Sequence, residues 1–194
     1  GEPPGNGAFI VKNSWGTSWG DGGYFYLSYY DASLQFSTAF TAEPVSNYSA
    51  VYQSDPLGWV GSLGSDEPST TAWGANIFTA DSSGNPLTAV SFYTTDVDTQ
   101  YEVYIYTDPS SGPTGGTQHI GPQGTMPFPG YHTVKLASPV PLSAGQRFSV
   151  VVKFITSEYY GPLAFENATE GYSSGANASP GQSYVSLDGI SWYD

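Results

Sequence analysis

The stretch "YEVYIY", residues 101–106, alternates between two kinds of side chain along the chain. Tyr101, Val103 and Ile105 share one face, and a period of two is that of a β-strand with one side buried. A second run, "FSVVVKF" at residues 148–154, is longer and mostly apolar, which is typical of a central strand. Two such runs predict a sheet that buries one face in a core.

The composition extends this prediction to the whole chain. The 194 residues include 16 Tyr, 10 Phe and 5 Trp as core material, and 24 Gly and 15 Pro interrupt the chain at short intervals. Many short strands joined by turns are typical of all-β proteins. We therefore predict an all-β protein, an antiparallel jelly-roll-type β-sandwich, with under about a tenth of its residues in helices against roughly a third on average. Strands are expected at residues 48–53, 59–63, 73–79, 87–94, 101–107, 131–136, 146–154, 163–166 and 183–187.

The charge restricts the partners that this chain is expected to bind. Its net charge is −13, from 17 acidic residues against four Lys and Arg, so no basic stripe is available to displace counterions from phosphates. We predict no nucleic acid partner and no membrane insertion. The acidity fits an extracellular or cell-surface protein and equally fits ordinary solubility. The chain has no cysteine, which leaves the redox compartment open.

The N-terminal stretch "GAFIVKNSWGTSWGDGGYFYLSYYD", residues 7–31, has a different pattern. Two aromatic and β-branched runs, at residues 8–11 and 24–27, predict strands. The Trp, Gly and Asp residues between them predict a loop, because Gly and Asp tolerate turn conformations. The stretch is therefore expected to form a β-hairpin, with Asn13 at the exit of its first strand.

This hairpin resembles the C-terminal part of papain-like cysteine peptidases, whose Asn-Ser-Trp-Gly motif corresponds to residues 13–16. The resemblance implies that the side-chain oxygen of Asn13 accepts a hydrogen bond from a catalytic imidazole and fixes the ring, as Asp does in a Ser-His-Asp triad. It also implies that Trp15 covers that bond and shields it from water. The rest of the peptidase domain would be the partner of this segment.

The remaining catalytic groups of such a peptidase are not in the sequence. A thiolate nucleophile and an imidazole base are needed, the chain has no cysteine, and its histidines, His119 and His132, both follow Asn13. We expect the chain to be the C-terminal piece of a papain-like endopeptidase and to cleave no peptide by itself. The hairpin would then be left over from the peptidase domain. His119, in a Gly/Thr-rich stretch, is expected in a solvated loop, and His132 on a strand face.

The domain organisation is expected to follow this division. Residues 1–41, including a short apolar run at 34–40, would be the peptidase remnant, residues 42–47 a linker, and residues 48–194 the sandwich. Stretches such as "YQSDPLGWVGSLG" and "LSAGQRFSVVVKF" resemble the lectin-like domain that follows the peptidase domain in some microbial papain-like proteins. That resemblance implies a β-sandwich, and it carries no sugar-binding residues across.

Candidate ligand residues come from the sequence alone. Sugar-binding sandwiches present aromatic faces on loops, and four aromatic residues have loop contexts here, although most aromatics of such a chain fill the core. These residues are Trp59, Tyr159, Tyr160 and Tyr172. A glycoside hydrolase would need two carboxylates about 5–10 Å apart, and the sequence pairs none of Glu102, Glu158, Glu166 and Glu170.

Metal and modification sites are weaker candidates. No cofactor is expected, apart from a structural Ca²⁺ for which Asp96 and Asp98 are candidate ligands, with turn capping by Asp as the simpler interpretation. Acceptor sequons for N-glycosylation begin at Asn47, Asn167 and Asn177.

These patterns predict the accessory domain of a secreted or surface papain-like cysteine peptidase. The sandwich would dock the enzyme on a glycan, a cell surface or a protein substrate. The alternative is a structural spacer with no ligand of its own, and the sequence does not separate the two.

Overall fold

The computed structural model describes residues 4–33, 38–64 and 69–194. In these ranges the chain contains β-strands and no helix, and every strand pair is antiparallel, so the all-β prediction is confirmed. No helix of the described ranges is long and apolar enough to cross a membrane. The chain divides into two compact units, Gly1–Asn47 and Tyr48–Asp194. The limits of the predicted linker, 42–47, stay a prediction.

The first unit contains the predicted hairpin. Strand β1 (Ala8–Lys12) pairs with β2 (Tyr24–Ser28), and the register sets Ile10 opposite Tyr26. Aromatic and β-branched residues on both strands favour this pairing because they fill the pleated surface. Of the predicted apolar run at 34–40, residues 34–37 lie outside the described residues, and 38–40 have no strand conformation.

The second unit is built from short strands at the spacing that the turn residues predict. The strands are β3 (Gly61–Leu63), β4 (Thr71–Thr79), β5 (Leu87–Thr94), β6 (Thr99–Thr107), β7 (Thr117–Met126), β8 (Gly130–Val140), β9 (Arg147–Ile155), β10 (Leu163–Phe165) and β11 (Ser183–Ser186). A five-stranded sheet has the order β11-β4-β9-β6-β7, and two further pairs are β5-β8 and β3-β10. Strand β9 is the central strand that its apolar run predicts.

The main core lies between the five-stranded sheet and the shorter pairs. Val103 and Ile105 of β6, which the alternating stretch placed on one face, are almost completely buried. They belong to one apolar cluster with Phe92 of β5, Val134 of β8 and Leu163 of β10. The two layers are therefore held together by side chains from both, as in a sandwich. The jelly-roll connectivity stays a prediction.

Strand β7 was not predicted, and the expectation that His119 lies in a loop is wrong. His119 lies on β7 opposite Ile105, with its Nε2 3.3 Å from Thr107 Oγ1. The sequence of β7 contains Gly121 and Pro122, which are poor strand residues in a sheet interior. They are tolerated because β7 is the edge strand and because its pairing with β6 is interrupted by a register shift. His132 lies on strand β8, as expected.

The predicted strand at 48–53 is also wrong. This segment has no strand pairing, but the Tyr52 ring packs edge-on against Phe148, with ring centroids 5.2 Å apart, and also lies near Phe78. Tyr52 thus fills the end of the core through its side chain alone. The side-chain pattern of residues 48–53 therefore indicated burial correctly. It did not indicate a strand, because no neighbouring strand pairs with the main chain of this segment.

Candidate functional site

Asn13 lies at the exit of β1, in the turn that its motif predicts. Its main-chain N–H donates to the Gly23 carbonyl at 3.0 Å, which closes the base of the hairpin loop. Its side-chain Oδ1 accepts a hydrogen bond from the main-chain N–H of Trp15, and its Nδ2 is buried without a partner. A carbonyl oxygen has two lone pairs, so the Asn13 oxygen can accept one further donor. That capacity is what the predicted contact with an imidazole requires.

Trp15 is an exposed side chain of this turn. Its ring is 71% exposed and packs edge-on against Trp19, with centroids 5.1 Å apart, while Trp19 packs in the same way against Phe25. The rings of Trp15, Trp19 and Phe25 thus pack one against the next in the hairpin that contains Asn13. The predicted role of Trp15 as a cover for the Asn13 hydrogen bond stays a prediction.

Three of the four predicted ligand aromatics lie close together, beside strands β3 and β10. The Trp59 Nε1–H donates to Ser62 Oγ at 3.0 Å. Gly161 lies between Ser62 and the Tyr159 ring, because a Cβ at this glycine would be 3.0 Å from the Ser62 Cβ and 2.9 Å from the ring. Trp59 and Tyr159 therefore converge on Ser62.

Tyr160 joins this group through the main chain of Gly64. A Cβ at Gly64 would lie 1.6 Å from the Tyr160 carbonyl oxygen, so the two backbones are in direct contact. Trp59, Tyr159 and Tyr160 are 38%, 45% and 52% exposed. We call Trp59, Ser62, Tyr159 and Tyr160 the loop surface. Tyr172 lies in a separate turn after β10, bonded to the Thr169 carbonyl.

A small pocket of about 190 Å³ lies next to the loop that carries Trp59, and we call it the acidic pocket. Its lining consists of Asp55, Glu166, Asn167, Ala168, Ala176, Asn177 and Ala178. Glu166 Oε2 accepts hydrogen bonds from the main-chain N–H groups of Leu57 at 2.6 Å and Gly58 at 3.2 Å. Glu166 therefore fixes the main chain immediately before Trp59.

Asp55 is the functional candidate that the sequence did not reveal. Burial raises the pKa of Asp55, the negative charge of Glu166 raises it further, and a hydrogen bond from Asn76 Nδ2 at 3.4 Å partly opposes this rise. The signal in the sequence is the Asp-Pro turn shortly before Trp59. The residues around this Asp-Pro turn do not distinguish it from the other turns of the chain. What distinguishes Asp55 is its proximity to Glu166, which is more than a hundred residues away in the sequence.

Replacing Asp55 with asparagine is expected to raise the free energy of unfolding at pH 7. Because the folded-state pKa lies above that of the unfolded chain, the folded state binds the proton more readily. The stability that the protonated carboxyl contributes is therefore lost as the pH rises from the pKa of the unfolded chain, about 3.9, through the higher folded-state pKa. Above this window the buried carboxylate destabilises the protein, and asparagine cannot ionise. Denaturant unfolding between about pH 3 and pH 8 measures the difference.

The matched control is Asp81→Asn, for which the opposite sign is expected. Hydrogen bonds from the Ser83 side chain and main chain lower the pKa of Asp81, so its ionised form is the stabilising one. Asp81→Asn should lower stability at pH 7 and have little effect once the carboxylate is protonated. If Asp55→Asn were less stable than the wild type at pH 7, the conclusion that burial of the ionised Asp55 carboxylate destabilises the protein would be wrong.

Two of the other predicted acidic residues, Glu102 and Asp96, have contacts with neighbouring groups. Glu102 binds Lys153 Nζ at 3.0 Å and accepts a hydrogen bond from the Tyr104 hydroxyl, which raises the pKa of Tyr104 to about 12. Asp96 accepts hydrogen bonds from the Val97 N–H through Oδ1 and from the Thr99 hydroxyl through its main-chain oxygen. Asp98 has a left-handed backbone with φ of 49°.

Asp96 and Asp98 lie in the bend and turn that join β5 to β6. Among the residues that the structure describes, no group of three His, Cys, Asp or Glu side chains could hold a metal ion. The predicted glycosylation sites stay predictions. Asn167 and Asn177 line the acidic pocket, and Asn47 donates a hydrogen bond to Glu43.

The two units define the class of this protein: an all-β domain preceded by a hairpin segment that is similar to part of a papain-like peptidase. Residues 51–194 match the family described as the lectin-like domain, and the chain belongs to this family. Residues 1–42 match the papain family of cysteine proteases. Both resemblances inferred from the sequence are therefore confirmed. Comparison with curated protein sequences gave no match.

The solved structures similar to the chain include two of the cysteine protease Cwp84. One is the clostridial cysteine protease Cwp84 after propeptide cleavage, with a TM-score of 0.70 and 26% identity, covering 99% of this chain and 48% of that one. The other contains the cysteine protease and lectin-like domains of Cwp84, a surface layer associated protein of Clostridium difficile, with a TM-score of 0.64 and 25% identity, covering 96% and 41%. The chain thus spans less than half the length of either.

Proposed function

We propose that this chain is the accessory part of a papain-like cysteine peptidase at the cell surface and that it docks the peptidase on a surface glycan. The observation that carries the proposal is that Trp59 and Tyr159 both lie beside Ser62, with Tyr160 next in the chain, and that all three residues are partly exposed in a lectin-like domain. Aromatic faces stack on the CH groups of sugar rings, and their polar edges donate hydrogen bonds to hydroxyls.

The proposed cellular location rests on similarity. Cwp84 is a surface layer associated protein that combines a cysteine protease with a lectin-like domain. The present chain combines a segment of each kind. A domain that holds such a peptidase close to the cell envelope raises the local concentration of its substrates there.

The papain-like segment supports the proposed peptidase partner. In this proposal Asn13 orients a catalytic imidazole that belongs to the rest of the peptidase domain. The free acceptor capacity of its Oδ1 supports this role. The buried, unpartnered Nδ2 supports it also, because buried amide groups ordinarily find partners.

Binding of the chain to a glycan and polysaccharide array tests the docking function. Trp59→Ala is expected to weaken binding roughly tenfold, since a central aromatic contact contributes on the order of 1–2 kcal/mol. The control is Phe128→Ala, which removes an exposed aromatic ring from the turn between β7 and β8 and should bind as the wild type does. A wild-type chain that binds no glycan would refute docking and favour the spacer. An equal loss of glycan affinity in both variants would show that the loop surface is not the binding site.

A further inference from the structure

The acidic pocket brings together two carboxyl groups from distant parts of the chain. Asp55 lies in the segment before β3, and Glu166 follows β10 directly. Asn76 of β4 reaches Asp55 from the five-stranded sheet and is uncharged. The other residues that line the pocket are also uncharged, namely Asn167, Ala168, Ala176, Asn177 and Ala178. Among the described residues that line the pocket, no basic side chain therefore offsets the two acidic groups.

The two carboxyl groups differ in what stabilises their negative charge. Glu166 Oε2 accepts hydrogen bonds from two main-chain N–H groups, of Leu57 at 2.6 Å and of Gly58 at 3.2 Å. Asp55 is partly buried, and its donor is the Asn76 amide at 3.4 Å. Hydrogen bonds from N–H groups favour the ionised form of a carboxyl, whereas burial favours the neutral form. When the two groups share one proton, Asp55 is therefore the residue that carries it.

The main chain connects Asp55 to the groups that Glu166 holds. Asp55 stands two residues before Leu57. The Gly58 N–H also donates to the Asp55 carbonyl oxygen at 3.3 Å, which closes a turn over residues 55–58. We call these four residues the turn segment. A movement of Asp55 toward solvent therefore pulls on both N–H groups that bind Glu166.

We propose that the turn segment is a pH-sensitive device, closed onto Glu166 while Asp55 carries a proton and open when Asp55 is ionised. The opening returns the carboxylate to water and moves it away from the negative charge of Glu166. This inference goes beyond the proposed docking function and does not depend on it, because no ligand takes part in the movement.

The sign of the pH dependence follows from the environment of Asp55 in the closed segment. Burial raises the pKa of Asp55, the hydrogen bond from Asn76 opposes this rise, and the charge of Glu166 adds to it. The closed segment therefore binds the proton more readily than the open one, in which the carboxyl is hydrated. Closure is favoured at low pH and is lost as the pH rises from about 3.9, the ordinary value for Asp, through the raised pKa.

The chain that follows the turn segment is held by groups that do not titrate in this range. The Val60 N–H donates to the Phe165 carbonyl at 3.1 Å, and the Trp59 Nε1–H donates to Ser62 Oγ at 3.0 Å. Opening is therefore confined to residues 55–58 and leaves the pairing of β3 with β10 in place. The Val60 amide thus supplies an internal reference for the movement.

Amide hydrogen exchange of the full 194-residue chain tests the proposal. It is resolved by NMR and corrected for the intrinsic effect of pH on exchange. Protection of the Leu57 and Gly58 amides is expected to fall severalfold between about pH 4 and about pH 7, because the population of the open segment increases. Protection of the Val60 amide should not change over the same range.

Three variants identify the group that titrates. Asp55→Asn cannot ionise and should keep the Leu57 and Gly58 amides protected at both pH values. Glu166→Gln retains an acceptor without its charge and should lower their protection at both pH values, since hydrogen bonds to a charged acceptor are the stronger ones. Asp81→Asn is the matched control, an exposed turn residue of the same unit, and should behave as the wild type does.

The outcomes decide between a local switch and a rigid turn. A fall in protection that Asp55→Asn abolishes and Asp81→Asn retains supports the proposal. Equal protection of the wild-type chain at both pH values would overturn it, as would a fall that persists in Asp55→Asn or that extends to Val60. Failure of glycan binding would count against the proposed function alone, because these measurements contain no ligand.

Discussion

Replacing Phe148 with alanine is expected to lower the free energy of unfolding of the 48–194 unit by about 3–5 kcal/mol. Phe148 lies on the central strand β9 and is completely buried. Its ring packs against Tyr52 and Phe78, with centroids 5.2 and 5.5 Å away, and it forms a second core cluster with Ala80 and Leu142. Alanine would leave a cavity that a central, paired strand cannot close by moving.

Equilibrium unfolding in denaturant, with thermal unfolding in parallel, measures this loss. For a unit of this size the expected drop in melting temperature is on the order of 10 °C. Phe128→Ala is the control, because Phe128 is 71% exposed and its loss should change stability by less than about 0.5 kcal/mol. A change below about 1 kcal/mol for Phe148→Ala would contradict the position given to this residue in the core.

Replacing Gly64 with alanine is expected to displace the loop surface and to destabilise the β3-β10 pair. The new Cβ would lie 1.6 Å from the Tyr160 carbonyl oxygen, and the positions of both atoms are fixed by the main chain. No rotamer change relieves a clash between backbone groups, so strand β3 or the segment that carries Tyr159 and Tyr160 has to shift. Such a repulsive contact costs about 1–3 kcal/mol where the chain yields, and more where it does not.

Gly175→Ala is the matched control for this prediction. It is the same substitution in the same unit, at a glycine with no atom within 4 Å of the new Cβ and no positive φ. For both variants we would measure the free energy of unfolding, the tryptophan fluorescence and the binding of glycans. Wild-type stability and binding in Gly64→Ala would show that the close approach of residues 64 and 160 is not needed.

The main elements of the fold were predictable because their signals are local. The alternation at residues 101–106 and the apolar run at 148–154 correspond to β6 and β9, neighbours in the five-stranded sheet. The hairpin of residues 8–28 was predictable because its strands and loop are contiguous. Strand β7 was missed because main-chain pairing at a sheet edge does not require the side chains that indicate a strand.

The candidate site was predictable only in part. Sequence context identified Trp59, Tyr159 and Tyr160 as loop aromatics, but their proximity depends on the pairing of β3 with β10, strands about a hundred residues apart. The contact between Glu166 and the main chain of Leu57 and Gly58 depends on the same pairing.

The all-β class, the peptidase-like hairpin and the positions of most strands follow from the sequence, because side-chain period and turn chemistry act over a few residues. The meeting of Asp55 and Glu166 in the acidic pocket, and of Trp59 and Tyr159 beside Ser62, follows from the folded chain. The physical reason is that a period of two assigns each side chain to a face and leaves its neighbours undefined. Those neighbours are set by strand pairing between distant segments, whose register depends on the packing of the whole core.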